Sequence, residues 1–543
     1  MRHFLTLLIL LFGLLSATIA AHADKVDGIN YRIFISGSGD NAVADSAWVD
    51  DNMGVTLTEI VIPSSITFPY TYTINGATFT RYLSCPVTAI GDLAFYNCEN
   101  LTNVNIPNSV TAIGFFAFKD CVNLTSIDIP NSVVTIGWAA FSGCNITSVT
   151  IPYSVSRISR DAFSGCGNVK ELTWYAKHCV SNGNMYTENI EKVTIGNEVE
   201  YLPDSFVHHS KITEVTIPNS VDTIGGFAFS GCTGLTNIDI PNSVDAIGYA
   251  AFEGCTGLTS IDIPNHLRVF YGAAFSGCTG LTGSIDIPNS VIFIGEKTFE
   301  DCSGLSKIII GNSVTTIGKK AFSGCTGLTG SLDIPNSVIS IGEETFEDCS
   351  GLSKITIGDS VTDIMHDSFD GCRGVKTLYW NAWNCQISDK EDWHESSPFS
   401  DLDSVTHIVI GNKVEFIDDY MFRFGFGRSV DTVTCHAEIP PIITAKCFTD
   451  YTYSHAILRV PKKSMHDYRE AEGWKEFERV VAIVEMPGDV DGDGKVNIDD
   501  VTTLINHLLK GSTSVIDGAD VNEDGKINIE DVTTLINKLL RGH

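Results

Sequence analysis

The chain is short of positive charge. Against 66 Asp and Glu it carries only 35 Lys and Arg, a formal net charge of −31. A nucleic-acid partner needs a basic footprint to displace counterions from phosphates, and this composition argues against one. Calcium, basic proteins and neutral glycans remain compatible with the charge. Also missing are the local signatures of common catalytic sites: no G-x-S-x-G, no H-E-x-x-H and no phosphate-cradling P-loop occurs. A catalytic carboxylate pair would leave no such signature, because its members meet only in space. Past the N-terminus, no apolar run is long enough to span a bilayer.

The N-terminus itself reads as an address. Arg2 and His3 precede an apolar run from Phe4 to about Ala20, and Ala21-His22-Ala23 forms a small-x-small site before Asp24. This predicts a secretory signal peptide over residues 1–23, cut between Ala23 and Asp24. An uncleaved anchor helix is the alternative, although the run is at the short end for one. No Cys stands beside the junction to suggest lipidation, so the mature chain is expected to be secreted and not inserted in a membrane.

What the chain has in quantity is a repeat. Leu258–Cys278 is one copy of L-x-x-I-x-I-P-N-S-V-x-x-I-G-x-x-A-F-x-G-C. Its Phe recurs at Phe95, Phe118, Phe141, Phe163, Phe206, Phe229, Phe252, Phe275, Phe299, Phe322, Phe346, Phe369 and, after a gap, Phe422, mostly in steps of 22 to 24 residues. A period in the twenties headed by L-x-x-I-x-I predicts a leucine-rich-repeat solenoid, an α/β repeat fold in which each coil buries its apolar edge against the next. Alternation points Ile261 and Ile263 inward and Asp262 outward. Pro264 ends the strand and Asn265 opens a turn. The G-x-x-A-F-x-G-C segment is expected to be a short helix or 3₁₀ turn, with Gly at a tight corner. Asp128, Asp239, Asp262, Asp286 and Asp333 share one outward position and form an acidic column.

Cysteine follows the same rhythm. Of the 16 Cys, those at 98, 121, 144, 166, 232, 255, 278, 302, 325, 349 and 372 lie three residues after the repeat Phe. Stacked coils would set them roughly 4.8 Å apart, beyond the Cβ separation of about 3.5–4.5 Å usual in a disulfide. Free, buried thiols are therefore expected, with Cys435 and Cys447, outside the ladder, left open as a pair.

The repeat resembles the BspA-like leucine-rich-repeat family of bacterial surface and secreted proteins, with I-P-N-S-V intact at Ile106–Val110, Ile129–Val133, Ile217–Val221, Ile240–Val244, Ile287–Val291 and Ile334–Val338. Two coils depart from it: Val169–Trp174 and Val375–Trp380 end their strand in Trp and have Cys179 and Cys385 five residues on. They look like matched interruptions that lead into loops. The expected organisation is an N-terminal cap at 24–88, a solenoid at 89–430, a C-terminal cap at 431–485 and a small all-α domain at 486–543. The C-terminal cap resembles that of the same family through Val460-Pro461-Lys462, Tyr468, Trp474 and Phe477.

The sharpest chemistry lies at the tail. Asp489–Asp500 and Asp520–Asp531 are two twelve-residue loops with oxygen-bearing residues where a hard cation needs them. In the first, Asp489, Asp491, Asp493 and Asp500 offer carboxylates, Lys495 a backbone carbonyl and Asn497 an indirect contact. In the second, the same roles fall to Asp520, Asn522, Asp524, Asp531, Lys526 and Asn528. Gly494 and Gly525 permit the sharp turn. Two Ca²⁺ ions are expected, with the first loop binding more tightly because it offers one more carboxylate. An amphipathic helix follows each loop: Val501, Leu504, Ile505, Leu508 and Leu509, then Val532, Leu535, Ile536, Leu539 and Leu540.

Two such loop–helix units, with Asp in the twelfth place where an EF-hand has Glu, are similar to a type I dockerin. The resemblance implies a cohesin domain of a scaffold protein as partner. It also implies that Ile498-Asp499 and Ile529-Glu530 form the contacting pairs, in place of the familiar Ser-Thr type. The near-identity of the halves leaves open two binding modes related by a half-turn. Asp392-Trp393-His394-Glu395 and His208-His209 are weaker metal candidates, better read as surface loops.

The sequence thus supports a non-enzymatic binding or adhesion solenoid, secreted and plugged by calcium into a cohesin-bearing extracellular complex. By resemblance, such complexes serve polysaccharide breakdown, with a glycan or protein ligand on the solenoid. One alternative is a glycoside hydrolase component of such a complex, acting on O-glycosyl bonds; the other is a host- or cell-directed adhesin.

Overall fold

A computed structural model describes the chain except residues 1–17, 27, 37, 39–40, 53–55, 182–187, 388–396, 484–487, 492–495, 510–517, 523–525 and 542–543. Most of the apolar N-terminal run, Asp392–Glu395, Asp493, Lys495 and Asp524 lie outside the described residues. The repeat folds into a β-solenoid of about 16 turns with a period of about 23 residues. The chain divides into two units, Met1–Thr282 and Gly283–His543.

In the first unit, β1 (Thr18–Val26), β2 (Ile29–Ser36) and β3 (Val43–Val49) form an antiparallel ribbon. The Ala23–Asp24 junction falls inside β1. A short β4 (Glu59–Val61) pairs with Asn103–Asn105 at the head of the first coil. Then β5 (Ser65–Ile74) and β6 (Ala77–Ile90) make a hairpin. Its turn is Asn75-Gly76, both at positive φ (51° and 81°), the geometry a two-residue turn demands. The end of β6 pairs in parallel with β3 and with Ala112–Ile113, so the cap passes directly into the stack.

Each coil has three sides. The I-x-I strand forms one parallel sheet, as in Ser148–Ile151, Glu171–Trp174 and Lys192–Ile195. A two-residue strand before the I-G step forms a second, as in Thr223–Ile224 and Ala246–Ile247. Pro-Asn-Ser turns join them, with Val244 N–H donating to the Pro241 carbonyl at 3.0 Å. The Gly of I-G is required by close approach: a Cβ on Gly248 would sit 2.5 Å from the Gly225 backbone.

The third side differs from the expected helix. It is a string of single turns whose alternate N–H groups reach into the next coil: Phe227 N to Tyr249 O, Phe229 N to Ala251 O and Gly231 N to Glu253 O, at 2.8, 2.8 and 2.7 Å. A helix would spend those donors within itself. The second residue after I-G adopts positive φ whatever its type, including Leu93, Phe116, Ala250, Lys297 and Glu344. Such a conformation costs about 1–2 kcal/mol in an L-residue, and the bonds between coils offset it. The corner before each Cys of the ladder is also left-handed, and there the sequence complies with Asn97, Asp120, Gly143, Gly231, Asp301 or Gly324.

The repeat Phe rings stack along the core. Phe252 is fully buried, 5.2 Å from Phe229 and 5.1 Å from Phe275 between centroids. Replacing it with Ala is expected to cost about 3–5 kcal/mol, as large-to-small changes in tight cores do. Urea unfolding measures this, and a loss below about 1 kcal/mol would contradict the packing. In the second unit the gap before Phe422 is filled by Phe399, 5.4 Å from Phe369. Trp174 and Trp380 are themselves fully buried core rings.

All 16 Cys are buried thiols outside any disulfide, Cys435 and Cys447 among them. The open pairing is thus not made; Tyr468 donates to Cys435 Sγ at 3.0 Å. Most ladder thiols donate to the Phe carbonyl one coil back, as Cys255 does to Phe229 and Cys278 to Phe252, both at 3.1 Å, whereas Cys232 donates to Val207.

The second unit ends its parallel sheet with His407–Ile410, Thr432–Cys435, Ile457–Val460 and Arg479–Ala482. Helices α1 (Asp450–His455) and α2 (Met465–Glu470) accompany these last strands, with Tyr468 and Trp474 fully buried. Helices α3 (Ile498–Leu509) and α4 (Ile529–Arg541) follow the tail loops. Among the described residues, no helix is long and apolar enough to cross a membrane.

Candidate metal centre

Each tail loop is closed by the acid at its twelfth position. Asn497 caps α3 by accepting from Asp499 N at 2.7 Å, and Asp500 reaches back to Asn497 N at 2.6 Å. This is a capping box, two side chains satisfying the helix start reciprocally. The other oxygen of Asp500 accepts from Val490 N and Asp491 N, at 2.7 and 3.1 Å. One carboxylate thereby ties the loop's beginning to its end. The second loop repeats the arrangement. Asn528 accepts from Glu530 N at 2.7 Å, and Asp531 accepts from Asn528 N, Val521 N and Asn522 N at 2.8, 2.8 and 3.3 Å. Asn497 and Asn528, expected only to make an indirect contact with the metal, are also helix caps, which an Asn three residues before an acid at a helix start signals.

Asp500 and Asp531 are fully buried. Among the described residues, Asp489, Asp491 and Asp500 bring one potential ligand atom each to within 4.8 Å of one another. Three carboxylates gathered so closely fit a hard divalent cation such as Ca²⁺, which takes oxygen ligands. A cation held there would neutralise their mutual repulsion and join the loop to the helix start. Asp520 and Asn522 hold the corresponding places in the second loop, and Lys526 is exposed beside them.

Val490, Val501, Leu504, Ala519, Val521, Val532 and Leu535 form the core that the halves share. Gly488 N donates to Gly518 O at 2.9 Å, joining the two loop entrances. Gly488 has φ 105°, and a Cβ there would meet Leu535 Cδ1 at 3.0 Å. The helix stripe read from sequence is only partly core. Leu508 and Leu539 pack against the cluster, whereas Ile505, Leu509, Ile536 and Leu540 are exposed. The two helices pack on each other, and among the described residues the outer edge of each stripe is left uncovered. With Ile498 and Ile529 these edges make two matched apolar strips, Leu509 being 79% and Leu540 80% exposed. Asp499 and Glu530 stand exposed beside them.

Elsewhere the candidates are weaker. Asp128, Asp239, Asp262 and Asp286 are exposed as expected, while Asp333 is half-buried. His208 and His209 touch ring to ring, 4.7 Å between centroids, with no third ligand-bearing side chain grouped with them among the described residues.

Residues 88–210, 200–329 and 329–454 match the BspA-type leucine-rich-repeat region, in six copies. The chain belongs to the BspA-type leucine-rich-repeat family. Residues 487–540 of this BspA-type protein match the type I dockerin domain, the stretch that holds both loops. It is similar to the solved structure of a leucine-rich-repeat protein from Bacteroides ovatus, 26% identical over 66% of this chain and 94% of that one, with a TM-score of 0.44. A leucine-rich cell-surface protein from Faecalibacterium prausnitzii is 25% identical over 68% and 96%, with a TM-score of 0.38. The pneumococcal vaccine antigen PcpA is 16% identical over 86% and 99%, with a TM-score of 0.36. No curated protein matches the chain.

Proposed function

We propose that this is a secreted, non-enzymatic binding solenoid that attaches through a tail holding two Ca²⁺ ions to a cohesin-bearing extracellular assembly, of the kind that degrades polysaccharide. The observation that carries the reading is the dockerin-type tail with its two acid-closed loops. In this reading Asp489, Asp491, Asp493, Lys495, Asn497 and Asp500 hold one ion. Asp520, Asn522, Asp524, Lys526, Asn528 and Asp531 hold the other. Ile498, Asp499, Ile529 and Glu530, with the exposed strips behind them, meet the cohesin. The solenoid is left to engage a glycan or protein ligand. The signal peptide, ending at Ala23, takes the chain out of the cell.

The test is capture of the full chain on immobilised cohesin domains, with calcium and with chelator. Capture in calcium that chelator abolishes is the expected result. Replacing both Ile498 and Ile529 with Asp should weaken it at least about 30-fold, the worth of one buried hot-spot residue. Absent or chelator-insensitive capture would sink the reading. Release of reducing sugar from polysaccharide by the full chain would favour the hydrolase alternative instead.

A further inference from the structure

The two Trp-ending coils differ at two outward positions, Glu171 against Thr377 and Thr173 against Tyr379. Tyr379 stands on the strand Thr377–Trp380 between the buried Leu378 and Trp380. Its hydroxyl donates a 2.6 Å hydrogen bond to the main-chain carbonyl of Asp491, in the first calcium loop. Lys354 Nζ lies 4.2 Å from the Tyr379 ring centroid and helps to hold the ring in place. In loops of this type the backbone carbonyl that meets the cation belongs to the seventh position, not the third. Accepting the hydroxyl at Asp491 therefore does not compete with the metal.

The surrounding sheet tells the same story. Register aligns Thr356, Tyr379, Val409, Thr434 and Arg459 in one outward row. In the equivalent sheet of the first unit Thr173, the counterpart of Tyr379, is half-buried, but the outward positions around it, such as Ser148, Thr150, Lys192 and Thr194, are exposed. In the Tyr379 row every position is at least half-buried, with Val409 7% and Thr434 3% exposed. The tail halves also differ at the point of contact. Ile498 and Ile529 are 66% and 68% exposed, nearly equal, yet Asp491 is buried at 7% while its counterpart Asn522 is half-buried.

We infer that the outward sheet face around Tyr379 is a docking surface for the first calcium loop of the same chain, so that cation binding there is coupled to attachment of the tail to the solenoid. The inference rests on the calcium-binding reading above. Asp500 ties Asp491 to the helix start, and a cation held by the same carboxylates would fix that closure and with it the place of the Asp491 carbonyl. By linkage, the docked solenoid raises the loop's calcium affinity by the same factor that calcium raises docking. Tyr379 is thus a positioning residue, and it makes two nearly identical loops unequal.

The test is calcium titration of the full chain. Asp531→Ala leaves the first loop to titrate alone, and Asp500→Ala leaves the second. Adding Tyr379→Phe, which keeps the ring and deletes the hydroxyl, should weaken the first loop about five-fold, the worth of one neutral hydrogen bond. It should leave the second unchanged. In the calcium-loaded chain with both loops intact, Tyr379→Phe should also speed amide exchange across residues 489–500 and not across 520–531. A melting curve for Tyr379→Phe matching the parent shows that the fold is kept. Calcium binding in both backgrounds with no selective effect of Tyr379→Phe would overturn the inference alone. No calcium binding in either background, nor in the parent chain, would overturn it together with the functional reading beneath it.

Discussion

Asp500→Ala is expected to remove calcium binding from the first loop and to loosen the start of α3. The substitution deletes a ligand of the proposed site and leaves three N–H groups, of Val490, Asp491 and Asn497, without their carboxylate acceptor. A hydrogen bond to a charged group contributes about 1.5–3 kcal/mol. Loss of even one such bond's worth along with the ligand should lower affinity by at least about 100-fold. Asp531→Ala removes the same geometry from the second loop, but there Asn522 stands where the first loop has Asp491. The second site starts weaker on charge, so its loss should be the smaller. Titration of the two variants side by side decides this, and equal losses would defeat the ranking.

Alkaline unfolding is expected to be unusually steep. Burial pushes the Cys166, Cys179, Cys278 and Cys325 thiols up to about 12. Burial likewise raises Cys255, Cys349 and Cys447 well above their ordinary range. In the unfolded chain a thiol gives up its proton near pH 8.5. Below that pH both states are protonated and the thiols favour folding fully. Between about 9 and 12 only the unfolded chain ionises, so stability is lost as pH rises. Each thiol contributes about 1.4 kcal/mol per pH unit, and four together about 5.5 kcal/mol per unit, which rivals the whole stability of a typical domain. Urea midpoints between pH 7 and 11, measured without oxidant, should fall sharply above 9. A flat profile would show that the thiols are not sequestered. At pH 8 a thiol reagent should label the folded chain negligibly and the denatured chain at all 16 Cys.

The solenoid was legible because its period is written in residues that must face inward, and stacking leaves them one place to go. The turn side was not. Leu93, Phe116 and Lys297 adopt left-handed backbone that their side chains disfavour, and only the donors of the neighbouring coil explain it. Phe399 was hidden because its coil has lost the I-P-N-S-V that marks the others, although its ring keeps its place beside Phe369. At the tail, loop ligands are local in sequence and could be read directly. The double duty of Asp500, cap and ligand, also follows from local spacing. Tyr379 could not be found that way. It lies 112 residues from its acceptor, and its neighbours marked the coil as unusual for another reason, the buried Trp380.

The hydrogen bonds that join one coil to the next also settle how the protein bears a pull. Within each unit, strand donors point back one coil and turn donors point forward one coil, so nearly every such bond lies along the direction of stacking. Were the tail fixed to a scaffold, as proposed, tension along the stack of one unit would load these bonds lengthwise, many at once at every step. No single coil carries the load on one side alone. In the proposed tethering role, such a repeat would serve as much as a cable as a surface.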